Sequence, residues 1–232
     1  MKNKKVLKNA SKFISVFLVL SLGYMYVEPV VADAAPSPQS TNVTVNQVVG
    51  AEISITAASA TVSMSPSING MTGGTGDGSV AMTVITNNTT GFQMKVKADY
   101  APAMTLGGAN NTTVDKFSDY GPTSAGVPDY TWGIAAADSE FGFTIEASDI
   151  AETVQLFKST TNTCNSAAGT RTADTCWYNF ATTDLTVVNR TTATPQVGVA
   201  ETLKFRAQSG ASHQQQQGTY SALITVTAAT NI

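Results

Sequence analysis

The residue types that most often perform catalysis are scarce in this sequence. The chain contains one histidine, His213, which lies in the polar run GASHQQQQ. A nucleophilic triad needs a histidine held against a serine, and the sequence contains no G-x-S-x-G or similar nucleophile pattern. Zinc sites use several His and Cys ligands, which one histidine and two cysteines do not supply. We therefore expect no enzyme activity, no cofactor and no metal site, with His213 as a solvated loop residue.

Carboxylates are the second kind of side chain that could do chemistry, and five of them cluster over residues 138–152. Paired carboxylates hydrolyse glycosidic bonds or bind calcium. Strand alternation would place Glu140 and Glu146 on one face, and Asp77 lies in a glycine-rich run that could also hold a cation. We favour a solvated acidic face, with calcium binding and glycoside hydrolysis as alternatives. The cluster consists of Asp138, Glu140, Glu146, Asp149 and Glu152.

The two cysteines, Cys164 and Cys176, flank the polar segment NSAAGTRTADT. In an exported protein, two cysteines close in sequence indicate a disulfide. A metal or redox pair would need C-x-x-C or nearby histidines, and neither occurs. We expect a structural disulfide that closes this loop.

Aromatic residues are the last candidates for a binding site. Tyr130, Trp132 and Trp177 could form a platform on which sugar rings stack, beside a long irregular segment at residues 101–128. The alternative is that these rings pack in the core, and for Trp132 we favour it because its surroundings resemble a half-buried strand.

The N-terminus predicts export. Five lysines precede the apolar run FISVFLVLSLG, Phe13–Gly23, which is too short for the ~20 residues that span a bilayer. Ala32-Asp33-Ala34 fits the A-x-A pattern of a signal-peptide cleavage site. We predict a signal peptide at residues 1–34 and a secreted protein at the extracellular cell surface. Cleavage at Ala35 or Ala32, and an uncut membrane anchor, are the alternatives.

Charge excludes two classes of partner. Five of the 13 basic residues and two of the 16 acidic ones lie in residues 1–34, so the remaining chain has 8 bases against 14 acids and a net charge of −6. An acidic chain with scattered bases repels phosphate backbones. We expect no nucleic-acid partner and no membrane partner after cleavage.

Period-2 alternation dominates the rest of the chain. Val80, Met82, Val84 and Thr86 share one face of SVAMTVIT, and Phe92, Met94, Val96 and Ala98 share one face of GFQMKVKA. The turn NNTTG between them predicts a hairpin. Ile68–Ser79 is dense in glycine and predicts a loop. Further strands are expected at YTWGIA, FGFTIEA, TVQLFK, WYNFA, DLTVVN, ETLKFRAQ and GTYSALITVTA.

About ten short strands separated by turns predict an all-β protein, an antiparallel β-sandwich of Ig-like or pilin-like type with an N-terminal signal peptide. We expect an extended leader at residues 35–40 and one sandwich domain at residues 41–232, including the long loop at 101–128. Alternation begins at Thr41–Val49, where Val43, Val45 and Val48 are the apolar residues of a candidate assembly strand.

Three segments carry a family resemblance: YTWGI from Tyr130, VGVAETLKFRA at Val197–Ala207, and QGTYSALITVTAATN at Gln217–Asn231. They resemble secreted β-domain surface proteins of Gram-positive and candidate-phylum bacteria. Fimbrial subunits, spore-coat-U-type domains and WxL surface domains have a related terminal strand. The resemblance covers mainly residues 130–231 and implies a surface location. The W-x-L motif itself is absent from the sequence.

These observations favour a secreted cell-surface structural protein, a filament or pilus-like subunit that assembles by adding its N-terminal strand to a neighbour's sheet. Its partners would be copies of itself or cell-surface components. A carbohydrate-binding or adhesive module, with glycans as partners, is the alternative, and a secreted hydrolase is the weakest hypothesis.

Overall fold

The computed structural model of the protein describes residues 41–108, 110 and 113–232. One compact unit comprises Val49–Ile232, and residues 41–48 do not belong to it. The predicted signal peptide at 1–34 and the leader at 35–40 lie outside the described residues.

The described residues form twelve β-strands and one 3-10 helical turn, Gln155–Phe157. The strands are β1 (Ile53–Ala57), β2 (Gly74–Thr86), β3 (Phe92–Ala98), β4 (Met104–Leu106), β5 (Lys116–Asp119), β6 (Ser139–Ala147), β7 (Ser159–Thr160), β8 (Thr163–Cys164), β9 (Leu185–Arg190), β10 (Val199–Ser209), β11 (Tyr220–Ala222) and β12 (Ile224–Thr230).

Two sheets enclose the core. The larger has seven strands in the order β1-β2-β10-β6-β5-β4-β11, and the smaller has three in the order β12-β3-β9. A separate two-stranded ribbon, β7-β8, adjoins the disulfide loop. Every pairing is antiparallel except β5 with β6. The prediction of an all-β protein with mainly antiparallel, sandwich-like sheets is therefore confirmed.

The core lies between the inner faces of these sheets. The inward residues predicted on β2 and β3 are almost all buried: Met82, Val84, Thr86, Phe92, Met94, Val96 and Ala98 are each at most 3% exposed, while Val80 is half-buried. Aromatic side chains fill the large-sheet side, where Phe143 stacks on Phe180 with centroids 4.5 Å apart and Phe141 stacks on Phe180 at 5.2 Å.

The predicted hairpin between β2 and β3 is wrong. β2 pairs with β1 and β10 in the large sheet, whereas β3 pairs with β12 and β9 in the small one. NNTTG therefore connects the two sheets instead of turning within one. Alternation correctly identified the buried face of each strand, but two strands that face each other across a core have the same pattern as two that pair side by side.

Several predicted boundaries also differ from the structure. The segment at 101–128 contains β4 and β5, and Gly74–Ser79 belongs to β2. Tyr130–Ala135 forms no regular strand, and TVQLFK contains the 3-10 turn. Short strands such as β4 and β5 are held by neighbours distant in sequence, which local patterns do not reveal.

Glycines in β2 make room for a segment that runs along its edge, residues 58–69, here called the strap. Ser65 and Asp77 exchange both backbone hydrogen bonds, at 2.8 and 2.9 Å. A Cβ atom on Gly78 would lie 2.7 Å from Val62 Cγ1, and one on Gly76 would lie 2.9 Å from the Pro66 carbonyl oxygen. The glycine-rich sequence is thus a strand whose missing side chains are replaced by strap residues.

The predicted disulfide is confirmed: Cys164 and Cys176 are bonded, and both residues are buried. The bridge closes a ring with a sequence separation of 12 between its ends. Its Cys176 end directly precedes buried Trp177, whose indole Nε1 donates to the Asp174 carbonyl at 3.0 Å. The bridge therefore joins a polar loop to the packed core.

We expect the Cys164→Ala/Cys176→Ala protein to lose about 3 kcal/mol of unfolding free energy, because the open loop gains conformational freedom in the unfolded chain. Guanidinium denaturation at equilibrium measures this loss. Wild type with its disulfide reduced is the control, because it lacks the cross-link but keeps both sulfur atoms. Equal stability of the oxidised wild type and the double variant would contradict a stabilising role.

Gly76→Ala should lower the unfolding free energy by about 1–3 kcal/mol, because the added Cβ collides with the backbone of the strap. Gly133→Ala is the matched control, since a Cβ there meets nothing within 4 Å. Thermal or chemical unfolding of both variants measures the difference. Equal effects at the two positions would refute close packing of the strap on β2.

Candidate functional site: a groove between open strand edges

Within the described residues, three end strands of the two larger sheets have an edge without a strand partner. β1 and β11 are the two ends of the large sheet, and β12 is one end of the small sheet. On β12, the Asp99 amide donates to the Leu223 carbonyl just before the strand, and the Asn231 amide donates to the Gly91 carbonyl just after it. In an antiparallel pair, every second residue exchanges backbone hydrogen bonds with the partner strand, so the odd-numbered residues of β12 bond to β3. The N–H and C=O groups of Ile224, Val226 and Ala228 therefore point to the open edge.

The same reasoning applies to β1. The Ala58 amide donates to the Ala81 carbonyl at 2.8 Å, so the even-numbered residues of β1 bond to β2. The backbone groups of Ile53, Ile55 and Ala57 consequently point away from β2. Both edges thus present hydrogen-bonding groups at every second residue, in the pattern that an additional strand would satisfy.

A groove of about 1300 Å³ lies between these edges. The strap forms one wall, with Val62, Met64 and Ile68. β11 and β12 form the other, with Tyr220, Ala222, Ile224 and Val226, and core residues including Met82, Leu203 and Phe205 form the floor. No residue that lines this groove carries a charge. An apolar floor beneath free backbone groups can bind an uncharged, extended peptide with apolar side chains on one face.

The candidate assembly residues Val43, Val45 and Val48 are each at least 79% exposed, and residues 41–52 form no strand. The segment Thr41–Ala51 contains no charged side chain. A nine-residue strand at 41–49 would span roughly 30 Å when extended. The segment therefore matches the groove in two ways: both are uncharged, and its alternating apolar side chains could face the apolar floor.

The chain just after this segment is fixed to the large sheet. The side-chain amide of Asn87 accepts from the Glu52 backbone amide at 2.7 Å and donates to the Gly50 carbonyl at 2.9 Å. The hydroxyl of Thr86 donates to the Glu52 carbonyl at 2.6 Å. These three bonds hold residues 50–52 in line with β1, so this stretch is not free to form a tight turn.

The candidate glycan residues are only partly brought together. Trp132 contacts Trp177 edge-on with centroids 5.4 Å apart, stacks on Tyr120 at 4.1 Å and donates from Nε1 to the Gln208 side-chain oxygen at 2.6 Å. Trp177 is 1% exposed and lies under Arg206, whose guanidinium carbon is 4.4 Å from the ring. Tyr130 is half-buried against the core. In this arrangement Trp177 offers no free face on which a sugar could stack.

The acidic residues are dispersed among separate partners. Glu146 forms ion pairs with Arg171 and Lys204, Asp77 pairs with Arg206, and Glu140 accepts from the Gly121 amide at 2.9 Å. Among the described residues, no group of three or more His, Cys, Asp or Glu is placed to hold a metal ion. Glu140 and Glu146 lie on the same face of β6, as strand alternation predicts, and each has its own local partner.

His213 is half-buried instead of solvated. Its Nδ1 lies 3.0 Å from the Ala137 carbonyl oxygen, and its Nε2 is buried. Polar sequence around a histidine does not reveal that the loop packs against a neighbouring turn. The residue thus has a positional role in attaching this loop to residues 135–138.

Sequence reasoning missed one buried charged site, Glu201, although its signal was present. In VAETLKFRA, alternation places Glu201 on the same face as Val199, Leu203 and Phe205. Glu201 is fully buried, and its pKa is raised to about 8 by burial and by the neighbouring Glu152.

None of the helical structure described in residues 41–232 is long and apolar enough to cross a membrane. Comparison of the chain with protein-family models, with curated proteins and with solved structures found no match. The groove and its open edges are therefore interpreted from their own geometry.

Proposed function

We propose that this chain is a secreted cell-surface structural protein, a filament or pilus-like subunit with an Ig-like or pilin-like sandwich. Copies join by β-strand addition, with residues 41–49 of one copy entering the groove of the next. The observation that carries the proposal is the uncharged groove flanked by the unpaired edges of β1 and β12.

The open edge of β12 supports this assignment because it carries none of the usual protection against pairing. Exposed edge strands are normally blocked by lysine, proline or a bulge. The sequence of β12, ITVTAAT, has no charge and no proline, and its pairing with β3 is continuous from Ile224 to Thr230. Such an edge favours addition of another strand.

Residues 41–49 are the donor segment, and strand alternation along it determines which side chains face the groove. In a strand, Val43, Val45, Gln47 and Val49 share one side, and Val48 lies on the other. We therefore assign the groove-facing positions to Val43, Val45 and Val49, replacing Val48 of the sequence-based set. The apolar side chains would cover the groove floor while the donor backbone bonds to the open edge of β12.

A second copy is a better acceptor than the chain's own groove. Folding residues 41–49 back along β1 would require a tight turn at residues 50–52. That turn would break the bonds by which Asn87 and Thr86 hold Gly50 and Glu52. Insertion into another copy leaves those bonds intact.

Export is supported by the disulfide, which is a bond of oxidising compartments, together with the predicted signal peptide. The alternative function, a carbohydrate-binding or adhesive module, has weaker support because Trp177 is buried.

Changing the donor face should abolish assembly. We expect secreted Val43→Lys/Val45→Lys protein to remain monomeric, since two ammonium groups would enter an uncharged groove. Asn42→Lys/Thr44→Lys is the matched control, with the same charge on the opposite face, and should assemble. Light scattering and negative-stain microscopy measure the outcome. Equal assembly of both variants, or monomeric wild type under all conditions, would contradict strand donation by residues 41–49.

Filling the groove should block the acceptor without altering the donor. Ala222→Trp places a large ring in the groove wall, and exposed Ala229→Trp on β12 is its control. We expect Ala222→Trp alone to be monomeric. Mixed with Val43→Lys/Val45→Lys protein, it should give heterodimers and nothing longer, because only one donor and one groove remain. Unfolding curves of each monomer establish that it is folded, and longer oligomers in the mixture would refute the pairing.

A further inference from the structure

The inner face of β10 contains a carboxyl group that lies between the two sheets. Glu201 is completely buried, in a cross-strand row with Met82 of β2 and Ala147 of β6. Its neighbours on the same face of β10 are Val199 and Leu203, both apolar and buried. A carboxylate at such a position has lost its hydration and needs a proton or a cation for compensation.

Two charged side chains, Glu152 and Arg190, interact electrostatically with Glu201. Glu152 is 6% exposed and lies between β6 and the 3-10 turn, and Arg190 ends β9 in the small sheet. Nη1 of Arg190 donates to Oε1 of Glu152, while its Nε donates to the Thr192 carbonyl at 2.9 Å. Glu152 Oε2 and both carboxyl oxygens of Glu201 are buried and make no hydrogen bond of ordinary geometry, and their nearest polar neighbours are each other and the Ser148 backbone.

The charges balance only with one more positive charge. Two carboxylates and one guanidinium leave a net charge of −1 at a place where Glu201 is fully buried and Glu152 is 6% exposed. Buried neighbouring carboxyls resolve this imbalance by keeping one proton between them. Bound between Glu152 Oε2 and a Glu201 oxygen, that proton would also satisfy two of the three unpartnered atoms.

We propose that Glu152 and Glu201 share one proton and, together with Arg190, form a pH-sensitive clamp between the large and small sheets. The clamp belongs to the folded monomer and forms without assembly through the groove. The charged groups that face it are Arg190 from β9 and Asp149 from the turn before Glu152. Met82 and Ala147, the register partners from β2 and β6, bring no charge.

The direction of the pH dependence follows from the raised pKa values. Burial, ahead of all other causes, raises the pKa of Glu152, and burial followed by Glu152 raises that of Glu201 to about 8. The folded chain therefore retains a proton that the unfolded chain loses near pH 4.5, the ordinary value for a glutamate. The contribution of this pair to stability is fully present below that pH and is lost as the pH rises through about 8.

The test compares thermal unfolding at about pH 5 and about pH 8.5, one below and one above the raised pKa of Glu201, for wild type, Glu201→Gln and the exposed control Glu52→Gln. We expect the wild-type Tm to fall by at least ~3 °C between these pH values. Glu52→Gln should behave like wild type, and Glu201→Gln should lose most of the fall, because glutamine keeps the shape without the titration. The same fall in Glu201→Gln as in wild type would overturn the proposal.

Infrared spectroscopy of the wild type gives a second readout that a purely structural glutamate would not produce. The C=O stretch of a protonated carboxylic acid should be present near neutral pH and should disappear as the pair loses its proton at higher pH. Absence of this band near neutral pH would overturn the proposal. This measurement uses the wild type and so does not require Glu201→Gln to fold. The last test measures the Tm of wild type and Glu201→Gln at about pH 8.5 with and without added calcium. An unchanged wild-type Tm supports a shared proton. A calcium-dependent rise in Tm that is lost in Glu201→Gln would assign the site to a divalent cation and overturn the proposal.

Discussion

Backbone N–H and C=O groups at the edges of the sheets are the constraint on which this structure depends, because each must bond to protein or to water. The outer edge of β9 is covered by residues 152–154: the Val154 amide donates to the Val187 carbonyl, and the Asn189 amide donates to the Glu152 carbonyl. The strap covers the first half of β2 in a similar way. In the part of the chain that the structure describes, only around the groove do neighbouring edges remain open over an apolar floor, so the unfilled space coincides with the unpaired backbone.

Alternation made the strand faces predictable, because a one-residue shift would move every apolar side chain to water. The buried faces of β2 and β3 follow directly from Met82, Val84, Met94 and Val96. Pairing was not predictable, since the same alternation serves strands that pair and strands that oppose each other across a core. The disulfide was predictable because only two cysteines exist and a polar loop separates them.

The groove itself was hidden from sequence analysis for two physical reasons. Its strap wall depends on glycines at 76 and 78, whose lack of side chains indicates a loop when read locally but admits Val62 and Pro66 in the folded chain. Its second wall depends on a segment that changes sheets at Leu223, with Tyr220–Ala222 bonded to β4 and Ile224–Thr230 bonded to β3. In sequence, that segment is one continuous strand.

The groove and the carboxyl pair lie on one cross-strand row, in which Ala57 pairs with Met82 and Met82 pairs with Glu201. Ala57 and Met82 line the groove, and Leu203, the next inward residue on β10, forms part of its floor. A strand that occupied the groove would displace water from the groove beside this row, which lowers the local dielectric constant and makes ionisation of buried Glu201 still more costly. By linkage, protonation of the pair would then favour occupation of the groove to the same extent that occupation favours protonation. Strand addition and the shared proton would therefore reinforce each other in mildly acidic surroundings and oppose each other only where the pH exceeds the raised pKa of Glu201.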